Sequence, residues 1–443
     1  MTAAPSIFWD FNLPNPTTWF YFSLLLAIAL FFKFTRLLSV RNWDVATMYL
    51  LVPGLLLLLE PVESGHRLWA YVWLLGGSAY LLVRCFVDLA LVRRPALAPN
   101  LNLSGLAWLG GALFVSLVTV AVRQPTDHPE LFNQAPSSIK QVERQGEKLV
   151  SQGAGGGELD HQQTRIVVER TLAILCHLSV VIGLVLVGCR HFQDAHSGVA
   201  AATFYLLLPY TFLLLPHAPL HCGQWHHILP MALVVWAVAT YRIPMLAGMF
   251  LGLAAGSVYF PALLFPVWLS FYWRRGAGRF AATFALAAGL SLAGTAFVLG
   301  MQGELMPSLR SAAALADWQA WKEPQTESVW SAVHWAYRLP VFIGYVAFVL
   351  TTVLWPAPKN LAHVLALSAA VLIGIQFWYA DRGGVYVLWY LPLLLLMVFR
   401  PNLADRVPAA IHPEADRLTR LRSRLKSFVG RVVRPPASPV RVR

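Results

Sequence analysis

The sequence predicts an all-α fold, a polytopic transmembrane helical bundle of about 13 spans. Three observations predict it. Apolar stretches of bilayer-spanning length recur from Trp19 to Phe399. Hydrophobic residues make up 57% of the 443 residues and charged residues only 12%. The polar breaks between the apolar runs are mostly short. A bilayer offers backbone N–H and C=O groups no outside partners, so each span has to satisfy its own as a helix.

Taken in chain order, the runs place helices at 18–34, 44–59, 68–92, 105–122, 166–189, 197–215, 226–241, 244–257, 259–273, 280–300, 338–356, 361–379 and 385–399. Ile166–Gly188, with its long Leu/Val/Ile content, cannot be the surface helix of a soluble protein. The apolar stretch 244–273 is interrupted at Tyr259-Phe260-Pro261, so it is expected as two short helices meeting at a turn. The chain then divides into N-terminal transmembrane helices (1–122), an extracytoplasmic cap (123–165), a transmembrane core with an outer loop at 301–337 (166–400), and a basic cytoplasmic tail (401–443).

An odd number of spans puts the termini on opposite sides, and basic residues choose which. With the N-terminus outside, the short inner loops and adjoining span ends hold Lys33, Arg36, Arg41, Arg84, Arg93, Arg94, Arg190, Arg242, Arg274, Arg275, Arg279 and Lys359. The short outer loops hold only Arg67 and Arg382. The tail from Arg400 onward adds 11 more on the inside. Acids sort the other way: 15 of the 21 Asp and Glu fall outside. Carboxylate chemistry, if present, belongs on the outer face; water exposure of those loops explains the same bias. The expected location is the cytoplasmic membrane, with the C-terminus inside.

Three extramembrane pieces have their own character. Arg123–Arg165 carries an amphipathic stretch around Ile139, Val142 and Leu149, then a flexible Gly153–Gly157 hinge. It is too short for a strong independent core and is expected as a cap on the membrane domain. Met301–Tyr337 holds Trp318, Trp321, Trp330 and Trp335, residues suited to the membrane interface or to stacking on sugar rings. Arg417–Val433 repeats Leu418, Leu421 and Leu425 at helical spacing with Arg and Lys elsewhere. That pattern suits a helix lying on an anionic inner leaflet, or a basic tail that only reinforces topology.

Other classes are set aside. The first apolar run continues into Lys33 and Arg36 without a cleavage-like site, so no signal peptide is expected. Cys85, Cys176, Cys189 and Cys222 fall in or beside different spans and form no CxxC pair. The net charge of +13 sits mostly in the tail and does not indicate a nucleic-acid partner. No cofactor and no resident metal are expected; the partner is the lipid bilayer itself. No ladder of acids runs through mid-membrane, which weakens a proton-pump reading.

Candidate chemistry gathers at the outer ends of helices. His217, His221, Cys222, Gln224, His226 and His227 crowd one turn. They suggest a metal site by composition, but no second ligand pair stands at a usual spacing. A polar pocket floor at a helix start, able to meet an anion, is the better fit. Glu60, Glu63, His66 and Arg67 share one short loop, where a carboxylate can act as general base and the guanidinium can hold a phosphate, or where all four simply face water. Asp10 lies among Phe8, Trp9 and Phe11. Asp381-Arg382-Gly383-Gly384 is a tight turn between the last two spans.

The stretch Gly198–Arg279 resembles polytopic glycosyltransferases of the GT-C type, especially the bacterial DUF2029/GT87 mannosyltransferase-like group. Leu206-Leu207-Leu208-Pro209 is similar to that group's L-x-x-P element, and Gly223-Gln224-Trp225 to its G-Q-x-N turn. Ala247-Gly248, Leu251–Ala255, Phe260-Pro261, Phe265-Pro266 and Arg274-Arg275 resemble its small-residue and proline stretch. The resemblance covers about a fifth of the chain. It implies a GT-C-like fold, an outer-face active site, a polyprenyl-phosphate sugar donor, and an acid in the first outer loop as base. Where that group has a lysine before the first proline, Ser257, Val258 and Tyr259 stand here. Arg67 or Arg382 is left for the phosphate.

The sequence therefore points to a glycosyltransferase-like membrane protein using a lipid-linked sugar donor. Asp10, Glu60 or Glu63 is the expected base. Arg67, Gln224, His226, Asp381 and Arg382 are expected to line the substrate site. The alternative is a non-catalytic polytopic protein, a transporter or an envelope assembly factor.

Overall fold

The computed structural model of the chain describes residues 15–59, 64–91, 97–123, 161–211, 225–301, 328–331 and 333–409, with a few isolated positions between them. These residues form helices and connecting turns, with no strand among them. Helix α1 (Pro16–Phe31) starts on Asn15, whose side chain accepts from the Thr17 N–H, with Pro16 at the position where a missing N–H matters least. Helices α2 (Val40–Thr47) and α3 (Val52–Leu59) form one apolar stretch of 20 residues, Val40–Leu59. It breaks just ahead of Pro53, which has no N–H to continue the ladder.

Three long apolar helices follow: α4 (Ser64–Ala90), α5 (Leu103–Arg123) and α6 (His161–Val187). α6 runs into a π turn over Gly188–Phe192 and stops at Gln193, in the left-handed region at φ 56°. α7 (Ala195–Leu207) is capped by Asp194, which accepts from the His196 N–H, and ends at Leu208, before Pro209. Then come α8 (Trp225–Ala239), α9 (Pro244–Ser257), a 3-10 turn (Phe260–Leu264) with α10 (Phe265–Phe271), and α11 (Ala277–Met301). The chain closes with α12 (Arg338–Leu354), α13 (Leu361–Trp378), a 3-10 turn (Val387–Trp389) and α14 (Leu391–Phe399).

Among the described residues, seven helices are long and apolar enough to cross a membrane: Val40–Leu59, Arg67–Ala90, Leu103–Val122, Ile166–Phe192, Ala277–Met301, Trp335–Leu354 and Leu361–Trp378. Of the about 13 expected spans, length alone supports these seven among the described residues, beside shorter apolar helices. α9 has 14 residues, about 21 Å of helix against a hydrocarbon core of about 30 Å. Its partner is shorter still. The two short helices expected over 244–273 are there, but as a hairpin. α9 runs one way, the chain turns at Tyr259-Phe260, and α10 returns until the Tyr272 hydroxyl donates to the Tyr241 carbonyl at 2.6 Å, beside the start of α9. Phe260 at the turn is fully buried. Irregular backbone at such depth is tolerated because protein surrounds it.

Burial separates an inner set of helices from an outer one. Every residue of α14 is buried, as is 83% of α13, against 12% of α11 and 22% of α12. The outer helices expose Leu286, Leu290, Leu292 and Phe297 on α11, and Ile343, Leu350 and Leu354 on α12. Water would not sustain so continuous an apolar surface; lipid requires it. The chain is a helical membrane protein.

Small residues set the closest helix contact. Gly248, Gly252 and Gly256 recur every fourth residue along one face of α9, against α11. A Cβ at Gly248 would collide with the Phe280 carbonyl oxygen, and one at Gly252 with that of Phe284. Close backbone approach of this kind is how helices associate in lipid, where burial of apolar surface offers little drive. The Ala247–Ala255 stretch that carries the family resemblance thus has a packing role of its own.

Candidate functional site

The helices give the bundle two ends. At the tail end, α4 and α14 finish and the chain leaves along residues 400–409. At the opposite, turn end, α13 stops and residues 379–390 fold back into the bundle. Gln376, fully buried, organises that fold. Its Oε1 accepts from the Gly384 N–H at 3.0 Å and the Tyr386 N–H at 3.3 Å. Its Nε2 has no hydrogen-bond partner among the described residues. Only glycine fits twice in the turn: a Cβ at Gly383 would collide with the Gln376 carbonyl oxygen, and Gly384 has φ +95°. The segment is recessed. A Cβ at Gly384 would lie 3.0 Å from the Leu74 Cβ, ten residues into α4 and so about 15 Å along that helix from its start.

Three elements meet the turn and bring aromatic rings with them. Trp389 stacks on Phe260 at 4.0 Å between centroids and on Tyr386 at 4.3 Å. The Trp389 indole N–H donates to His227 Nδ1 at 3.1 Å, so the His227 proton resides on Nε2. His227 in turn lies against His226, 4.3 Å between centroids. Tyr379 meets Tyr386 edge-on at 5.5 Å, and its hydroxyl hydrogen-bonds that of Tyr259. Trp330, from the tryptophan-rich loop, donates to the Phe377 carbonyl at 3.1 Å. The hairpin turn at Tyr259-Phe260 is thus held against the turn at 379–390 by stacked rings. Each such pair contributes about 0.5–1.5 kcal/mol beyond its buried area.

Charge lies beside this aromatic cluster. Asp381 and Arg382 are half-buried in the turn, with Arg382 in the left-handed region at φ 51°. Arg338, buried at the start of α12, lies within the field of Asp381. The cluster therefore gathers buried, mutually stacked rings, phenol hydroxyls, two guanidinium groups and a carboxylate around one turn.

Of the residues expected to line a substrate site, Asp381 and Arg382 lie in this turn, and His226 lies beside His227, which meets it. Arg67 is half-buried on α4. It lies one helical turn ahead of Tyr71, which is close enough to Tyr386 to interact with it. Asp10, Glu60, Glu63 and Gln224 lie outside the described residues, as do His217, His221, Cys222, Trp318 and Trp321. Sequence reasoning missed Arg338, Gln376, Tyr379, Tyr386 and Trp389. A signal existed for the last three, because aromatic residues crowd Phe377–Tyr390 on both sides of a Gly-Gly turn.

Asp44, Asp88 and Asp194 lie away from this cluster and have structural partners. Asp194 caps α7 and accepts from the Ser197 hydroxyl at 2.5 Å. Cys85 and Cys176 are buried free thiols and Cys189 an exposed one. No family model matches the chain, and neither a curated protein nor a solved structure matches it.

Proposed function

We propose that the chain is a membrane glycosyltransferase of the GT-C kind, transferring a sugar from a polyprenyl-phosphate donor at the outer face of the cytoplasmic membrane. In this reading the N-terminus is outside and the basic tail inside, so the turn end opens outward. The observation that carries it is the recess at 379–390. The ring of Tyr259, exposed beside the packed stack of Tyr386, Trp389 and Phe260, suits the apolar face of a sugar. Arg338 and Arg382 suit a phosphate, for which guanidinium groups supply paired donors. Asp381 and the Tyr379 hydroxyl suit sugar hydroxyls. The acceptor hydroxyl needs a base, drawn from Asp10, Glu60 and Glu63.

The test is transfer from a radiolabelled polyprenyl-phosphate sugar in membranes containing the wild type, Asp10→Asn, Glu60→Gln or Glu63→Gln. One of the three is expected to lose about 10²–10⁴-fold in rate. Transfer unaffected by all three removes the proposed bases. Absence of transfer with every donor tried favours the transporter or assembly-factor alternative.

A further inference from the structure

A second recess lies at the tail end, opposite the aromatic cluster. It is a cleft of about 750 Å³ between the end of α10, the end of α12 and residues 407–408. Most of its wall is apolar, including Leu269, Trp273 and Leu354. The charged residues lining it are Arg274, Arg275 and Lys359, with no acid among them. Arg275 is partly committed, since its Nη1 donates to the Pro408 carbonyl at 3.1 Å.

Lys359 is only 5% exposed. Its Nζ donates to the carbonyls of Val353 and Pro356, each at 3.1 Å. An ammonium has three protons, so one remains for a further acceptor. Burial pushes the Lys359 pKa down to about 8, the shift expected of a cation short of a counter-charge. Arg274 is exposed at the rim in the left-handed region, φ 60°. Trp273 and Trp355 are 66% and 63% exposed beside it, the placement of rings at a membrane–water interface.

We infer that this cleft binds one anionic phospholipid, its phosphate between Lys359 and Arg274 and an acyl chain along Leu269, Trp273 and Leu354. Charge complementarity selects the occupant. A zwitterionic lipid brings its own cation to a site that already holds three. Free phosphate leaves the apolar wall uncovered. The chain's own tail carries Arg417, Arg420, Arg422 and Arg424, the same sign as the cleft. The inference rests neither on transferase activity nor on which leaflet the tail end faces.

The test uses the full chain, purified in detergent, with binding read by native mass spectrometry and by thermal shift. The probes are dioleoylphosphatidylglycerol, dioleoylphosphatidylcholine and inorganic phosphate. Phosphatidylglycerol is expected to bind at least about tenfold more tightly than phosphatidylcholine. Arg274→Ala and Lys359→Gln should each weaken it about fivefold, the worth of one basic residue at an anionic lipid. Lys359→Arg should retain it. Equal affinity for the two lipids overturns the inference, as does a wild-type affinity in Arg274→Ala. Inorganic phosphate displacing the lipid at equal concentration would make this an ion site instead. Should Lys359→Gln fail to fold, the rim variant Arg274→Ala decides alone.

Discussion

Asp88 and Arg400, 312 positions apart in the chain, form a buried ion pair with 2.6 Å between Oδ2 and Nη2. Arg400 also donates to the carbonyls of Asp88 and Leu91. The other Asp88 oxygen accepts from Arg84 at 3.2 Å, and Arg84 makes a two-pronged contact with Asp44 at 2.7 and 3.0 Å. Two acids and two arginines alternate, so the row is neutral. It ties α2, α4 and the end of α14 at the tail end of the bundle. Such a row need not add much net stability, because desolvation opposes the attraction. Breaking it is another matter, since one buried charge is then left over.

Arg400→Leu should therefore lower stability by about 3–5 kcal/mol. Asp88→Asn added to Arg400→Leu restores neutrality, leaving Arg84 paired with Asp44, and should recover most of that loss. Thermal melting in detergent checks both. A double variant no more stable than Arg400→Leu alone would mean that charge balance is not what the row provides.

The α9–α11 contact predicts a contrast between glycines on facing helices. Gly252→Ala forces its Cβ into the Phe284 backbone, and overpacking of that kind costs about 1–3 kcal/mol. Gly289, on α11, has open space where its Cβ would point. Gly289→Ala should be neutral or stabilising by up to about 1 kcal/mol, from helix propensity alone. Equal effects in a melting comparison would show that the glycine stripe does not set the helix spacing.

The recess at 379–390 should depend on its two glycines. Gly384→Ala places a side chain at φ +95°, where an L-residue is disfavoured by about 1–2 kcal/mol. Gly383→Ala collides with the Gln376 carbonyl. Both variants should admit protease at the turn at lower concentration than the wild type. Digestion at wild-type rates would argue that the turn is not held in the recess.

Phosphatidylglycerol binding at the tail-end cleft should weaken with rising pH. Lys359 is charged below about pH 8 and neutral above it. His363 lies near Lys359, and Arg400 and Asp88 lie near His363. The change is read between about pH 7.5 and 9.5. Affinity should fall about two- to fivefold over that range in the wild type, the worth of one surface-type ion pair. It should stay flat in Lys359→Arg. A parallel fall in that variant would assign the effect elsewhere.

Much of the fold was legible because lipid imposes a simple grammar. Apolar length located the helices, and the Tyr259-Phe260-Pro261 interruption correctly separated α9 from α10. Length counted residue by residue supports seven of the about 13 spans among the described residues. A 14-residue helix ends inside the bundle, and hydropathy does not report depth. The pairing of Asp88 with Arg400 was not legible, since residues 312 positions apart carry no local sign of it. Part of the proposed site was readable as candidates. His226, Asp381 and Arg382 were picked for their chemistry and polar setting. Gln376 and Arg338 sit within or at the edge of apolar helices, and only the folded arrangement reveals what they face.

Photo-crosslinking with a diazirine-bearing polyprenyl phosphate, mapped by peptide mass spectrometry on the full chain in membranes, tests the central claim most directly. If the recess at the turn end is the donor site, label should concentrate on peptides carrying His226, Tyr259 or Tyr386–Trp389, and Arg338→Ala with Arg382→Ala should deplete it. Label spread over the lipid-facing surfaces of α11 and α12, unchanged by either substitution, would contradict the account.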